Sequence, residues 1–439
     1  MASESASPAE SRWGALSYPN YRRYWIAAIV RVFGIQFRFI GAGWLVAVVL
    51  DQSPFWLGVV WLATSLPTIL LSLPAGSLAD RTEPFRLVVL SQVLSFVGHL
   101  VLGILIVTDL VTLTLVIVWA IATGSFAALA APAMSALLPR LIDRSAMASA
   151  VALNSGVWGA MRVVGPALSG VLIALVGTGQ AFFVAAATMG LSVILLLRIE
   201  LVPRVVSTAV ESHQGMSGAL RFIWSQPLFL STIGLSFFAS VFGSSYVVLL
   251  PIFAEDLLDV GSTGFGFMEA AAGVGAVAGT YVVLRFGIGA RPGLVMLGSA
   301  TVFGVLIAVF SATDSLLTAA PMLLVIGIAE EFYLVVGMTV VQLAVPDQLR
   351  GRVMGIWTMS YFLAAVGGFF AGIAAEFIGV RQTIAAGGLI VTGFSVLLFF
   401  VTHELRPLRS PIHEVVLGPP APTDSAVADA AREPTEVAG

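Results

Sequence analysis

Twelve stretches of this 439-residue chain stay apolar for about 18 to 30 residues each, which is the span a helix needs to cross a bilayer core about 30 Å thick. They lie at 24–50, 55–79, 86–107, 112–137, 147–176, 180–197, 228–254, 263–284, 293–312, 317–344, 352–377 and 382–402. Inside hydrocarbon every backbone polar group must be satisfied by the segment itself or by a closed sheet, so helices and barrels are the available solutions. Barrel strands alternate in polarity. Runs such as Val193–Leu197 and Pro321–Ile328 do not alternate, so the reading is an all-α membrane protein with twelve transmembrane helices. Charged residues make up only 10% of the chain, against about 25% in soluble domains. A soluble fold of this size could not cover its surface with so few. Residues Met1–Pro19 hold no long apolar core and no cleavage pattern, so the first helix is expected to be retained, not removed as a signal peptide.

Orientation follows from arginine placement, because loops on the cytoplasmic side carry the basic excess. With the N-terminus inside, the inner segments hold 17 arginines and the outer loops hold only Arg381; Asp51, Asp109, Glu255, Asp256, Asp259, Asp314 and Glu376 lie outside. One missed span would invert everything after it, so both termini are expected in the cytoplasm. Trp13, Tyr18, Tyr21, Tyr24 and Trp25 stand just before or within the start of the first span and read as an interfacial aromatic belt.

Composition also excludes functions. There is no cysteine, and the four histidines are not spaced as a metal pair, so no metal and no cofactor is expected. Lysine is absent, which removes the nucleotide loop Gly-x-x-x-x-Gly-Lys and with it an ATP-driven pump. The net charge of −3 gives no reason to expect nucleic acid. A membrane enzyme would need a nucleophile–base pair or metal cluster at membrane depth, and none is apparent.

The longest internal polar stretch, 198–227, divides the spans six and six. The expected organisation is a cytoplasmic segment 1–23, a six-helix bundle 24–197, a linker 198–227, a second bundle 228–402 and a disordered tail 403–439 rich in Pro and Ala. The halves echo each other: Gly76 precedes Arg81 and Arg86 as Gly279 precedes Arg285 and Arg291, and Pro139-Arg140 answers Pro346-Asp347, at offsets of 203 and 207 residues. Two six-helix pseudo-repeats of this kind occur in one large transporter class.

Three motifs then carry a resemblance. Gly76-Ser77-Leu78-Ala79-Asp80-Arg81 followed by Arg86 resembles the signature between spans two and three of the major facilitator superfamily, with Glu83 where the family has a second glycine. Asn154, Arg162 and Gly165-Pro166-Ala167-Leu168-Ser169-Gly170 in span five resemble the end of its antiporter signature, with Ser169 replacing a glycine. Ala344 through Gly355 is similar to the segment between spans ten and eleven in the bacterial branch that includes the enterobactin exporters. The resemblance implies twelve helices in that superfamily's fold, a monomer, a small-molecule substrate, and a latch role for Asp80. Physical reasons stand beside it. Gly76 and Gly170 permit close helix contact where lipid offers no hydrophobic drive, and Pro166 removes a backbone donor and loosens its helix.

Six arginines and glutamates lie well inside predicted spans, away from their ends: Arg31, Arg38, Arg162, Glu269, Glu330 and Glu331. A central charge costs about 2.5–3.5 kcal/mol on insertion scales and therefore faces a partner or a cavity. Arg31 and Arg38 are seven residues apart on one helix face, while Glu330 and Glu331 diverge by about 100°, so one is expected to face the cavity and the other a neighbouring helix. In the superfamily the two halves face each other across the substrate cavity. The N-terminal half would then bring three arginines and the C-terminal half three glutamates, and Arg31 or Arg38 is expected to meet a glutamate. Pairs that form when the halves close, and weaken when a glutamate takes a proton, would couple protons to alternating access; Glu330 or Glu331 is the expected carrier, and Glu269, nearer the outer side, would serve substrate or gating. Gln36 and His99 are weaker candidates. Trp44, Phe126, Tyr246, Phe332, Tyr333 and Tyr361 are candidate walls of an aromatic pocket. The expected function is a proton-coupled secondary transporter exporting drug-like or siderophore-like molecules across the bacterial inner membrane, with a carrier of lysophospholipid or another amphiphile, and after it a polytopic membrane enzyme, as the alternatives.

Overall fold

The computed structural model describes residues 14–200, 216–287 and 291–402. Twelve helices are long and apolar enough to cross a membrane. They are α1 (Pro19–Val49), α2 (Pro54–Arg81), α3 (Pro84–Val107), α4 (Leu113–Leu137), α5 (Met147–Val176), α6 (Thr178–Leu196), α8 (Pro227–Leu257), α9 (Gly261–Phe286), α10 (Pro292–Phe310), α11 (Leu316–Ala344), α12 (Asp347–Ile378) and α13 (Val380–Val401). A short helix, α7 (Met216–Ser225), lies in the stretch read as a linker; residues 201–215 of that stretch and the whole tail 403–439 lie outside the described residues. No strand occurs among the described residues.

Proline sets several of the starts. Pro19, Pro54, Pro84, Pro227 and Pro292 each occupy the first turn of a helix, where the missing N–H costs nothing and the fixed φ suits the helix. Pro19 therefore begins α1 five residues before the apolar stretch does. This early start also corrects the aromatic belt: Tyr21 and Tyr24 are buried, and the Tyr21 hydroxyl donates to the Ala150 carbonyl at 2.9 Å. The start of α1 packs on α5, so these rings face protein. Trp13 lies outside the described residues.

The repeat is plainer in three dimensions than in sequence. α1 and α8 both end in a π-helical turn, Leu45–Val49 and Phe253–Leu257, and each turn is followed by an aspartate with positive φ, Asp51 and Asp259. Aspartate tolerates that left-handed conformation better than most residues. Gly177 and Gly379, with φ of 96° and 87°, make the tight joints α5–α6 and α12–α13. Within the halves α2 packs on α4 as α9 packs on α11, and α3 on α6 as α10 on α13; across the halves α5 packs on α9 and α2 on α12.

The core shows where the halves join. One end of the bundle carries both described termini and the connections at 81–84, 137–147 and 344–347; we call it the terminal end. There the buried apolar residues form two separate clusters, one around Tyr21, Leu137 and Ala150 and one around Ile223, Val341 and Trp357, each confined to one half. Toward the opposite end the clusters mix the halves: Leu45, Leu57 and Trp119 pack with Val248 and Ile252, and Trp44 with Phe253 and Phe265. The halves are thus closed on each other at the far end and parted at the terminal end.

Candidate functional site

Small residues let two helices from different halves touch at mid-depth. A Cβ added to Gly273 of α9 would lie 2.5 Å from the Arg162 carbonyl oxygen of α5, and one added to Gly266 would lie 2.5 Å from that of Pro166. The antiporter-like segment is therefore itself the crossing point of the halves. Gly165 and Pro166 are buried, and Gln36 of α1 fills the space over Gly165, so Gln36 is a packing residue. Gly170 is packed against Gly266 and Ser262, whose hydroxyl donates to the Gly170 carbonyl at 3.1 Å. Gly76 differs: a Cβ there would meet nothing within 4 Å. The close-contact role expected for Gly76 is corrected in this conformation, because α2 ends on the side where the halves have parted.

Arg162 emerges from this crossing. Its Nη2 lies 3.6 Å from Oε2 of Glu330 on α11, an ion pair between the halves. The Arg162 side chain remains 43% exposed and that of Glu330 19%, so the pair is open on the arginine side, while Glu330 Oε2 itself is buried. Glu269, Glu331 and Tyr246 lie within electrostatic range of Arg162. Glu331 turns away to α9, where Thr280 donates to its Oε1 at 3.0 Å. The two neighbouring glutamates thus diverge, one across the interface and one within its own half. Glu269 has a buried Oε1 without a hydrogen-bond partner among the described residues.

The arginines of α1 do not take the place expected of them. Among the described residues neither Arg31 nor Arg38 comes within ion-pair distance of an acid. Arg38 lies 6.0 Å from the centre of the Trp119 ring and lines a cavity of about 120 Å³ with Phe39, Trp61 and Thr64, between α1 and α2. Arg31 opens on a separate cavity among α1, α4 and α5. Azimuth explains this: α1 turns that face toward its own half, and α5 carries the arginine that reaches across. His99 is buried, with its ring edge on Trp119 and its Nδ1 against the Ser95 carbonyl.

The signature residues Gly76 to Arg81 are the last turns of α2, not a loop; the side chains of Asp80 and Arg81 lie outside those described. Arg86 is exposed in the first turn of α3. Glu83, which replaces the family glycine, forms an ion pair with Arg140 at the end of α4. It ties the α2–α3 corner to the α4–α5 corner, a link that spacing alone does not reveal. At the far end Arg381, the exception to the arginine asymmetry, binds Asp314 at 2.5 Å. Of the aromatic candidates, Trp44 stacks on Phe265 and Tyr333 lies beside Phe303. Tyr246 is buried, Phe126 and Phe332 are half-buried, and the Tyr361 side chain lies outside those described. Trp158, which sequence reasoning passed over, is 43% exposed on α5 and lines the cavity beside Arg31.

With this geometry in view, the chain can be set beside known proteins. The profile of a family described as transmembrane secretion effectors matches residues 10–415. The enterobactin exporter EntS of Citrobacter koseri is 25% identical over 402 residues, covering 90% of this chain and 94% of that one. The staphyloferrin A transporter of Staphylococcus aureus is 24% identical over 388 residues, covering 84% and 92%. Among solved structures, a mutant of the nucleoside transporter NupG aligns with a TM-score of 0.70 at 15% identity, covering 88% of this chain and 99% of that one. A bacterial homologue of the human lysosomal transporter Spinster, inward-facing and occupied, aligns with a TM-score of 0.70 at 16% identity, covering 90% and 99%. The relatives are transporters and not enzymes, and the structural likeness carries the fold alone.

Proposed function

Because the chain belongs to the transmembrane secretion effector family of the major facilitator superfamily, we propose that it exports small organic molecules, drug-like or siderophore-like, in exchange for protons. It works as a monomer in the bacterial inner membrane with both termini in the cytoplasm. The relatives' names favour export, since EntS is an enterobactin exporter. The arginine asymmetry assigns the terminal end to the cytoplasm, so the parted end of the bundle is the side from which an exporter loads.

The observation that carries the reading is the Arg162–Glu330 pair. It joins α5 to α11 at mid-depth, and helices of the two halves move relative to each other in alternating access. When Glu330 takes a proton it loses its charge, and the attraction between the halves at that point falls. Glu269 and Glu331 stand close enough to feel the change. Proton entry from the far side and substrate loading from the terminal side then use the same charged centre in alternate conformations.

The test is proton movement in proteoliposomes containing the purified protein and a transported dye. Glu330→Gln is expected to abolish proton-driven net export while substrate exchange between the two sides continues, because the halves still rock. Undiminished substrate-coupled proton flux in the double variant Glu330→Gln, Glu331→Gln would remove both as carriers and leave Glu269.

A further inference from the structure

We infer that the cavity at Arg31 holds the anionic group of the transported solute, so that organic anions with an aromatic or apolar body are the substrate class. The inference rests on the transport reading above and names what that transport carries.

The cavity has a volume of about 310 Å³ and lies within the N-terminal half, toward the terminal end, the size range of a small-ligand site. Ala127, Ala130 and Ala131 of α4 line it; at spacings of three and four they share one helix face and leave the room that larger side chains would fill. Its other walls are Met134, Tyr24 and the open ring of Trp158. An apolar, partly aromatic space is thus built beside one permanent positive charge, since a guanidinium does not lose its proton in proteins.

That charge has no match. No acid among the described residues lies within ion-pair distance of Arg31, and its strongest electrostatic neighbour is the phenol of Tyr24. Its Nε is buried without a hydrogen-bond partner, and so are Gln92 Oε1 and Asn154 Oδ1, which line the clefts on either side of it. Buried polar atoms are nearly always bonded, so the buried Arg31 Nε–H without an acceptor marks a place where an acceptor group of a ligand completes the bonding. A carboxylate or similar anion supplies the acceptors Arg31 lacks, through charge-assisted hydrogen bonds; Gln92 Oε1 and Asn154 Oδ1 are themselves acceptors and take no part in holding it. The C-terminal half has the reverse balance: its Glu330 is engaged from across the interface by Arg162 of α5, while its Glu269 has a buried oxygen without a hydrogen-bond partner. A cationic solute would be drawn to that half and repelled by Arg31.

The experiment is equilibrium dialysis of the purified full-length protein in detergent with three probes of one shape: 2-naphthoate, 2-naphthamide and 2-naphthylmethylammonium. The wild type is expected to bind the carboxylate about tenfold or more tightly than the neutral amide, a difference that a single charge-assisted contact can supply. Arg31→Gln is expected to erase that preference with the amide's affinity kept, and Arg31→Lys to retain part of it, because lysine keeps the charge and loses the fork geometry. Equal affinities for the three probes in the wild type, or a preference for the ammonium, would overturn the inference. So would a carboxylate preference that survives in Arg31→Gln or is lost only in Arg38→Gln. If Arg31→Gln does not fold, an unchanged preference in Arg31→Lys overturns it and a reduced one supports it. Binding is read without a gradient, so a failure of proton-driven export would count against the transport reading and leave this result standing.

Discussion

Gly170 of α5 and Gly266 of α9 lie so close that a Cβ on Gly170 would sit 2.9 Å from the Gly266 Cα, and one on Gly266 would sit 3.0 Å from the Gly170 Cα. The far end of the bundle can close only because neither residue has a side chain. Lipid gives helices no hydrophobic reason to associate, so backbone approach of this kind is what holds them.

Gly170→Leu should therefore open the far end. The obstructing atoms are backbone, including the Ser262 carbonyl oxygen at 2.4 Å from the added Cβ, and cannot rotate away. The expected outcome is a protein that inserts and folds but populates the conformation parted at the far end, with net export reduced by about an order of magnitude or more, since overpacking a tight contact costs about 1–3 kcal/mol. Cysteine pairs introduced at Phe55 and Glu376, whose backbone N and carboxylate lie 3.4 Å apart, check this by cross-linking. Wild-type cross-linking in the leucine variant would show the contact to be dispensable.

Arg162 and Glu330 should be energetically coupled. Removing one partner of a sealed ion pair costs about 3–5 kcal/mol. This pair is 3.6 Å apart and open on one side, so solvent screens it and a coupling of about 1 kcal/mol is expected, within the range seen for contacting residues. Thermal unfolding of Arg162→Gln, Glu330→Gln and the double variant in detergent measures it. Strictly additive losses would show that the two side chains do not interact.

Asp80→Asn should impair transport with near-normal expression. The residue stands in the last turn of α2, and the superfamily signature implies that its charge serves a conformational latch. Transport at the wild-type rate in this variant, measured as dye efflux from cells, would reduce the motif to a topology element.

Reporter fusions at Ser207 and at Ala421 should both report cytoplasmic. The expectation comes from 17 inner arginines against one outer under the positive-inside rule. The lone outer arginine supports it physically, since Arg381 is neutralised by Asp314. A periplasmic signal at either site would reverse the loading side assigned to the exporter.

The primary sequence by itself determined the number of helices, their approximate ends and the division into halves. Apolar length, proline and glycine positions and arginine bias are properties of each segment alone. The identity of the charged residues was equally legible, because a charge inside an apolar stretch is conspicuous. What only the tertiary structure decided is which charges meet. Arg31 and Arg38 looked like the partners of the C-terminal glutamates, yet Arg162 makes the contact with Glu330. The reason lies in the solvent: in a membrane helix the lipid face and the interior face are both apolar, so the hydrophobic pattern that fixes rotation in soluble helices carries little phase here. The rotation of each helix is set instead by where small residues allow close approach, as at Gly273 beside Arg162 and at Gly170 beside Gly266. Which small residues oppose which is a relation between segments more than 90 positions apart in the chain, and it exists only once the helices are packed.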